Sequence, residues 1–342
     1  MDKSELQTKT VTVEVDLGIL PLEKDAETSN IKQYVFRRIA TKRRLKKSLH
    51  ESKISPSLMR FLGGNKERLI QAGEGYGLSS KLRLFGVAIL ESVPNTARRR
   101  IACVDKSLTQ AMKTLCKGVV VKIDNSVYVA RDHMGLGIVG PNFEPYMHEH
   151  IKIGWGGVFI DVGAHVGKYT VLVSKIVGPD GMVIALEPNS ENFKALKRNI
   201  KLNNLRNVVA YNVAASNKTG PLKFFAGDNS ASFSVVNDYK KSIVTVQAQL
   251  LDEIVNELNL NRVDLVKIDV EGGEYEVLLG LEETLRIFCP KVIVEVWMKN
   301  IDRVAAFFDR LGYNIKALSE VLEFNIGTPD YAWCIDVLCS PQ

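Results

Sequence analysis

The stretch Val158–Thr170, VFIDVGAHVGKYT, constrains this chain more than any other. Val158-Phe159-Ile160 is a short apolar run of the kind that enters a parallel sheet buried on both faces. Asp161 closes the strand, Gly163 and Gly167 frame a turn, and from Lys168 onward the apolar spacing becomes helical. Glycines let a backbone approach a ligand. The helix that follows directs its first amide groups into the crevice at the strand ends. A unit of this kind builds a nucleotide-type site in an α/β sheet.

The spacing narrows the ligand. A dinucleotide fingerprint, G-x-G-x-x-G, cradles a pyrophosphate. Here the pattern is D-x-G-x-x-x-G, with a carboxylate where a pyrophosphate would be repelled. That carboxylate suits a ligand carrying an amino acid and a positive centre, and S-adenosylmethionine has both an ammonium and a sulfonium. A generic strand-to-helix turn is the bland alternative.

Downstream, the rhythm of strands and helices is regular. Strands are expected at Met182–Leu186, Val208–Val213, Leu265–Asp269 and Lys291–Val296, with a closing pair at Val321–Phe324 and Ala332–Leu338. A helix is expected from Ser190 to Asn203, capped by Asn189 or Ser190. The closing pair, joined by a turn at Gly327–Asp330, would be antiparallel. The expected fold is therefore α/β, a doubly wound and mostly parallel seven-stranded sheet of Rossmann-like type. Between the third and fourth of these strands, Leu222–Phe225 and Ser242–Ala248 break the rhythm as two strand-like pieces around a Ser/Asn-rich loop.

Several carboxylates fall at the strand ends. Glu187 lies 26 positions after Asp161, follows four apolar residues and precedes Pro188, where an acid can accept from both hydroxyls of a ribose. Asn212, beside Ala214 after the third strand, is placed to meet an adenine edge, although a turn-forming Asn fits as well. In KIDVEGGEYEVLLG, Asp269 and Glu271 are two apart and in extended backbone would share a face, ready for a substrate hydroxyl or a cation. Glu274 suits the first turn of the next helix. Glu295 ends the fifth strand on the same side.

The runs VFIDVGAHVGKYT, ALEPN, DLVKIDVEGGEYEVLLG and VIVEV resemble the FkbM family of S-adenosylmethionine-dependent methyltransferases, across about residues 154–318. The resemblance implies a class I methyltransferase fold and S-adenosylmethionine as cofactor, held by Asp161, Gly163, Ala164, Gly167, Tyr169, Glu187, Pro188, Asn212 and Ala214. It implies methyl transfer to a hydroxyl of a small molecule, sugar or glycan. An alcohol is a weak nucleophile, so a base would help. Asp269 leads the candidates, followed by Glu271, Glu295 and His165, with His148 and His150 as outside choices. His165 stands where the family usually has Asn. No metal ligand set is legible. In the family a loop over the active site corresponds to the Ser/Asn-rich segment, which points to Asn229, Ser230 and Ser232.

The rest of the chain divides by charge. Residues 1–150 hold 25 Lys and Arg against 16 Asp and Glu, a balance of +9, whereas the whole chain is only +6. The excess centres on Arg37–Lys47, with a second spot at Arg98–Arg100. A solvated helix face explains such a cluster, and so does a grip on RNA phosphates or an anionic membrane surface. An RNA methyltransferase is thus the leading alternative, although the base-recognition motif N/D-P-P-Y/F is missing after the fourth strand. A non-catalytic partner-binding subunit is a third reading. Thr10–Leu17 alternates like an accessory strand, and Val119–Ile123 with Val127–Ala130 make a hairpin. The expected organisation is a basic, mainly helical region over 1–118, a hairpin and lead-in over 119–153, and the methyltransferase domain over 154–342. No signal peptide or spanning segment is legible, and five scattered cysteines fit neither a zinc site nor a disulfide framework. A reducing cytoplasm is the expected compartment.

Overall fold

The computed structural model describes residues 75–91, 110–111, 114–140, 143–227, 230–231, 233–235, 242–319, 322–323 and 333–342. The strand expected at Thr10–Leu17, the basic stretches at Arg37–Lys47 and Arg98–Arg100, and the loop residues Asn229 and Ser232 lie outside them.

Helix α1 (Leu78–Glu91) leads to the hairpin β1 (Val120–Ile123) and β2 (Ser126–Val129), then to the short helices α2 (His133–Val139) and α3 (Met147–His150). The main sheet begins at β3 (Val158–Val162), which continues one residue beyond Asp161 and is buried along its length. It is followed by α4 (Lys168–Val177), β4 (Met182–Leu186), α5 (Ser190–Leu202) and β5 (Val208–Tyr211). Asn189 caps α5 as expected, its side chain accepting from the Glu191 and Asn192 amides. After β6 (Ala214–Ala215), β7 (Gly220–Ala226), β8 (Phe233–Ser234) and β9 (Ser242–Gln249), the chain runs through α6 (Leu251–Glu257), β10 (Leu265–Ile268), α7 (Glu274–Leu279), α8 (Glu282–Phe288), β11 (Lys291–Trp297) and α9 (Ile301–Arg310). It closes with β12 (Tyr313–Ala317), β13 (Leu322–Glu323) and β14 (Trp333–Pro341).

The strand order is β12-β14-β11-β10-β3-β4-β5, with β13 added beside β14. From β11 to β5 neighbouring strands are parallel, while β14 runs antiparallel to β11, β12 and β13. This is the doubly wound seven-stranded arrangement that the sequence suggests, with one addition at the edge. β14 lies between β11 and β12, so β12 is an added strand at this edge, while the expected closing pair is present with Leu322 and Glu323 antiparallel to Cys334 and Trp333. Tyr313–Ala317 alternates apolar and polar residues, but it is only five residues long with one β-branched side chain, and pairing with β14 is what fixes it as a strand. The segment between β5 and β10 forms a second sheet in which β7 and β9 pair antiparallel.

Alternation along the central strands sets up the site. One face, with Val158, Ile160, Val162, Val266, Ile268, Val292 and Val294, packs on α6 to α9 as the largest core cluster. The opposite face begins apolar at Phe159, Leu265 and Ile293, which pack against Tyr169, Val173 and Val177 of α4. Two residues further along that face stand Asp161, Lys267 and Glu295, all buried. Charge therefore gathers at the carboxyl ends of the strands, where α/β sheets bind ligands. The lead-in is fastened above it. Val127 donates to the side chain of Asn203, just past α5, at 2.9 Å, Val129 to that of Asn199 in α5 at 2.7 Å, and Lys168 to the Phe143 carbonyl at 2.5 Å.

Candidate functional site

At the carboxyl ends of β3, β4, β10 and β11 lies a cavity of about 400 Å³, within the usual range for a small-molecule site. The turn after β3 forms its floor through Gly163, Ala164 and His165, with Lys168 and Tyr169 from α4. Gly163 and Gly167 take left-handed conformations, with φ of +81° and +92°. Their roles differ. A Cβ on Gly163 would collide with the Asp269 backbone carbonyl, whereas one on Gly167 would meet Leu196 Cδ1 at 2.5 Å. Gly167 thus serves helix packing and does not line the cavity, unlike the cofactor role expected for it. His165 also has positive φ, 52°. Asn and His are among the residues that tolerate that conformation best, which accounts for either residue at this position.

Asp161 lies beneath the cavity wall. Its Oδ2 accepts from Thr170 Oγ1 at 2.5 Å, and Oδ1 has no hydrogen-bond partner. Burial raises its pKa, against the pull of Lys267 and Thr170. Lys267 stands opposite Asp161 in the β10–β3 register and is paired with Asp269 at 2.9 Å. Burial works against its charge, but Asp269, Glu144 and Asp161 outweigh that cost and push its pKa above the ordinary lysine value. Its ammonium also sits 5.0 Å from the Tyr169 ring centroid, within cation–π range.

Glu187 sits where expected, just past β4 and against the cavity, and is 4% exposed. Oε2 accepts from the His165 amide at 2.8 Å; Oε1 accepts from the Asn189 amide at 2.8 Å and, more weakly, from Asn192 Nδ2 at 3.4 Å. Burial nonetheless pushes its pKa up to about 7. Pro188, Ala214 and Tyr169 also line the cavity. Asn212 does not. It is exposed, and its amide donates to the Glu187 and Pro188 carbonyls at 2.8 and 3.2 Å, so it braces the β4 turn.

The opposite end is acidic. Asp269, Glu271 and Glu295 all line it, joined by Glu144 from the lead-in. Asp269 and Glu271 do not converge through extended backbone, because β10 ends at Ile268 and Glu271 turns left-handed at φ 54°. The following Gly272, at φ 104°, completes the reversal. Burial, then Asp269 and Glu274, raise the pKa of Glu271 well above the ordinary glutamate value; burial, Asp269, Glu271 and Asp336 do the same to Glu295. Carboxylate oxygens of Glu144, Asp269 and Glu295 lie within 4.8 Å of one another, a spacing able to hold a divalent cation. Glu274 is buried away from the cavity; it accepts from the Gly272 amide and from Asn300 Nδ2, and burial raises its pKa to about 7.

His165 lines the cavity as a neutral group. Burial lowers its pKa to about 4, and neither ring nitrogen has a well-formed hydrogen bond. His148 is exposed and His150 lies outside the lining. Sequence reading missed Glu144, Tyr146 and Asp336. Tyr169 donates to Glu144, and Tyr146 donates to Asp336 at 2.5 Å. No motif or spacing marks these pairs, whose members lie 25 and 190 residues apart.

The structure offers what an adenosine-bearing cation requires. Gly163 and Ala164 line the cavity, Glu187 has acceptor capacity beside it, and the surrounding carboxylates favour positive charge. S-adenosylmethionine fits those features. Among the described residues, no helix is long and apolar enough to cross a membrane.

Residues 161–315 match the model of the Methyltransferase FkbM domain. Methyltransferase 1 of Beauveria bassiana is 26% identical over 158 residues, 40% of this chain and 63% of that protein. Methyltransferase sdnD of Sordaria araneosa is 27% identical over 190 residues, covering 46% and 73%. The hexuronic acid methyltransferase AglP of Haloferax volcanii is 28% identical over 131 residues, covering 38% and 52%. The chain thus spans between about half and three quarters of the length of these relatives. Among solved structures, a methyltransferase FkbM from Methylobacillus flagellatus aligns at 13% identity and a TM-score of 0.40, over 80% of this chain and 58% of that one. M. jannaschii TYW2 in complex with AdoMet aligns at 17% identity and a TM-score of 0.34, over 65% and 86%. Residues 161–315 thus carry a methyltransferase FkbM domain, with S-adenosylmethionine as its cofactor.

Proposed function

We propose that this methyltransferase modifies a hydroxyl oxygen of a small molecule, sugar or glycan, with the acceptor bound at the acidic end of the cavity. The observation that carries this reading is the convergence of Asp269, Glu271, Glu295 and Glu144 on one end, opposite Glu187. Carboxylates accept from several hydroxyls at once and repel phosphate, so they suit a polyol better than a nucleic-acid backbone. The name of AglP, a hexuronic acid methyltransferase, agrees with a sugar acceptor. The RNA alternative rests on basic stretches outside the described residues.

In this reading Glu187 holds the ribose hydroxyls, the Gly163–Ala164 backbone borders the cofactor, and Ala214 and Pro188 flank its base. Asp161 acts from below the wall, through Lys267 and the Thr170 end of α4. When bound, S-adenosylmethionine supplies an electrophilic methyl group on a sulfonium centre. The protein aligns the acceptor oxygen and removes its proton. Asp269 is tied to Lys267, while Glu271 lines the cavity with a raised pKa, which makes it the stronger base. We therefore place Glu271 ahead of Asp269 as proton acceptor. Glu295 and Glu144 orient further hydroxyls, and neutral His165 shapes the wall.

The test is transfer of labelled methyl from S-adenosylmethionine into fractions of a cell extract. Glu271→Gln is expected to keep cofactor affinity and lose turnover by about a hundredfold or more. Wild-type turnover in that variant would remove Glu271 as the base.

A further inference from the structure

A second polar network at the Glu187 end joins Arg131 and Asp132, which precede the family domain, to Asn192 and Ser230 within it. Asp132 caps α2, with Oδ1 accepting from the Gly135 amide at 2.8 Å. The same carboxylate reaches across to the loop between β7 and β8. Oδ2 accepts from the Ser230 amide at 2.7 Å, and Oδ1 accepts from Ser230 Oγ at 2.8 Å. Ser230 is 1% exposed and, with Ala231 and Phe233, lines the cavity.

The other side of Ser230 is held by α5. Asn192 Nδ2 donates to the Ser230 carbonyl at 3.0 Å and to Glu187 Oε1 at 3.4 Å. Arg131 fixes which way that amide points, because its Nη1 donates to Asn192 Oδ1 at 2.6 Å. An oxygen facing a guanidinium leaves the NH₂ group facing Glu187 and Ser230. Burial opposes the charge of Asp132, but bonds from Gly135 and Ser230, helped by Arg131, hold its pKa below the ordinary aspartate value. The carboxylate is therefore ionised at neutral pH, and hydrogen bonds to an ionised acceptor are the stronger kind.

We infer that Asp132 and Asn192 are positioning residues for the cofactor, fastening Ser230 over the cavity and linking that loop to Glu187. The inference rests on the placement of the ribose at Glu187 proposed above. The weak 3.4 Å contact from Asn192 is the adjustable member. A ligand hydroxyl donating to Glu187 takes over that weak contact and leaves the Asn192 amide to strengthen its 3.0 Å bond to Ser230. Cofactor occupancy and loop position then share one amide, and linkage makes the coupling reciprocal. Holding Ser230 in place beforehand also leaves less ordering to be done on binding.

The experiment measures S-adenosylmethionine affinity by calorimetry, with hydrogen exchange of the loop around Ser230 with and without cofactor. Asp132→Ala and Asn192→Ala are each expected to weaken binding about tenfold. Both act through Ser230, so the double variant should lose little more than the weaker single one, not the product of the two. Cofactor should protect the loop in the wild type and fail to do so in either variant. Ser230→Thr, which keeps the hydroxyl, should bind better than Ser230→Ala. Wild-type affinity in a folded Asp132→Ala protein, or losses that multiply, would overturn the inference. Glu187→Ala separates the two claims. If it binds as the wild type does, the ribose placement fails; if it loses binding while Asp132→Ala does not, only the positioning role fails.

Discussion

Gly163 and Asp269 meet backbone to backbone: a Cβ built on Gly163 would stand 1.8 Å from the Asp269 carbonyl oxygen. The first turn of the cofactor motif and the start of the acidic cluster are therefore held in contact, and the two ends of the cavity cannot separate without breaking it. Gly163→Ala combines a positive φ with a collision against main chain and should destabilise the protein by about 3 kcal/mol or more. Gly312→Ala is the control. Its φ is also positive, 72°, but nothing lies within 4 Å, and the cost should stay near 1–2 kcal/mol. Thermal denaturation of both variants gives the comparison; equal losses would mean that the close approach has no energetic consequence.

Lys267 is the cation on which the buried carboxylates depend. Lys267→Met leaves Asp161 and Asp269 without their countercharge and should cost about 3 kcal/mol at neutral pH. Because the lysine's folded pKa is raised, its contribution is fully present below the ordinary lysine value and fades only as pH rises through the folded value. The penalty of the variant should shrink on acidification, as Asp161 and Glu295, whose pKa values are raised, take up protons. Denaturant melts at two pH values test this, and a penalty independent of pH would speak against it.

Glu187 and Glu274 predict an unusual pH dependence of stability without cofactor. Both have folded pKa values of about 7 against the ordinary 4.5. Between those values the folded state binds more protons than the unfolded chain, so the two groups make stability fall as pH rises through that window. Each shift corresponds to a contribution on the order of 3 kcal/mol. Glu187→Gln should flatten the dependence whatever its absolute stability, because its amide does not titrate. A slope unchanged from the wild type would show that Glu187 is not the group responsible.

Turnover should report Glu271. Its raised pKa places the acid limb of the rate profile above the ordinary glutamate range, with activity rising as the carboxylate ionises. Glu271→Gln should remove that limb from the residual activity. An identical limb in the variant would assign the titration elsewhere.

Much of this architecture is legible in the residues themselves, for physical reasons. Val158–Ile160 and Met182–Leu186 announce buried strands by unbroken apolar character, and Asn189 announces a helix by its capping chemistry. Asp161 and Glu187 are readable because each ends or follows such a run. Gly167 and Asn212 show where the reading stops. Glycine signals a left-handed turn, but not whether ligand or Leu196 occupies the space beside it. Asparagine signals hydrogen bonding, but not that carbonyls of Glu187 and Pro188 consume it. Glu144 and Asp132 were illegible because they act through Tyr169 and Ser230, contacts that arise only once the lead-in folds over the sheet.

On the proposed function, the transferred methyl ends on a hydroxyl oxygen. The most direct measurement uses S-adenosylmethionine carrying an isotopically labelled methyl group, purified protein and fractionated small-molecule and glycan extract, followed by magnetic resonance of the labelled product. The expected product is a methyl ether on a non-nucleic-acid acceptor, formed by the wild type and lost in Glu271→Gln. A methyl group bound to nitrogen or carbon, or label released by ribonuclease, would contradict it.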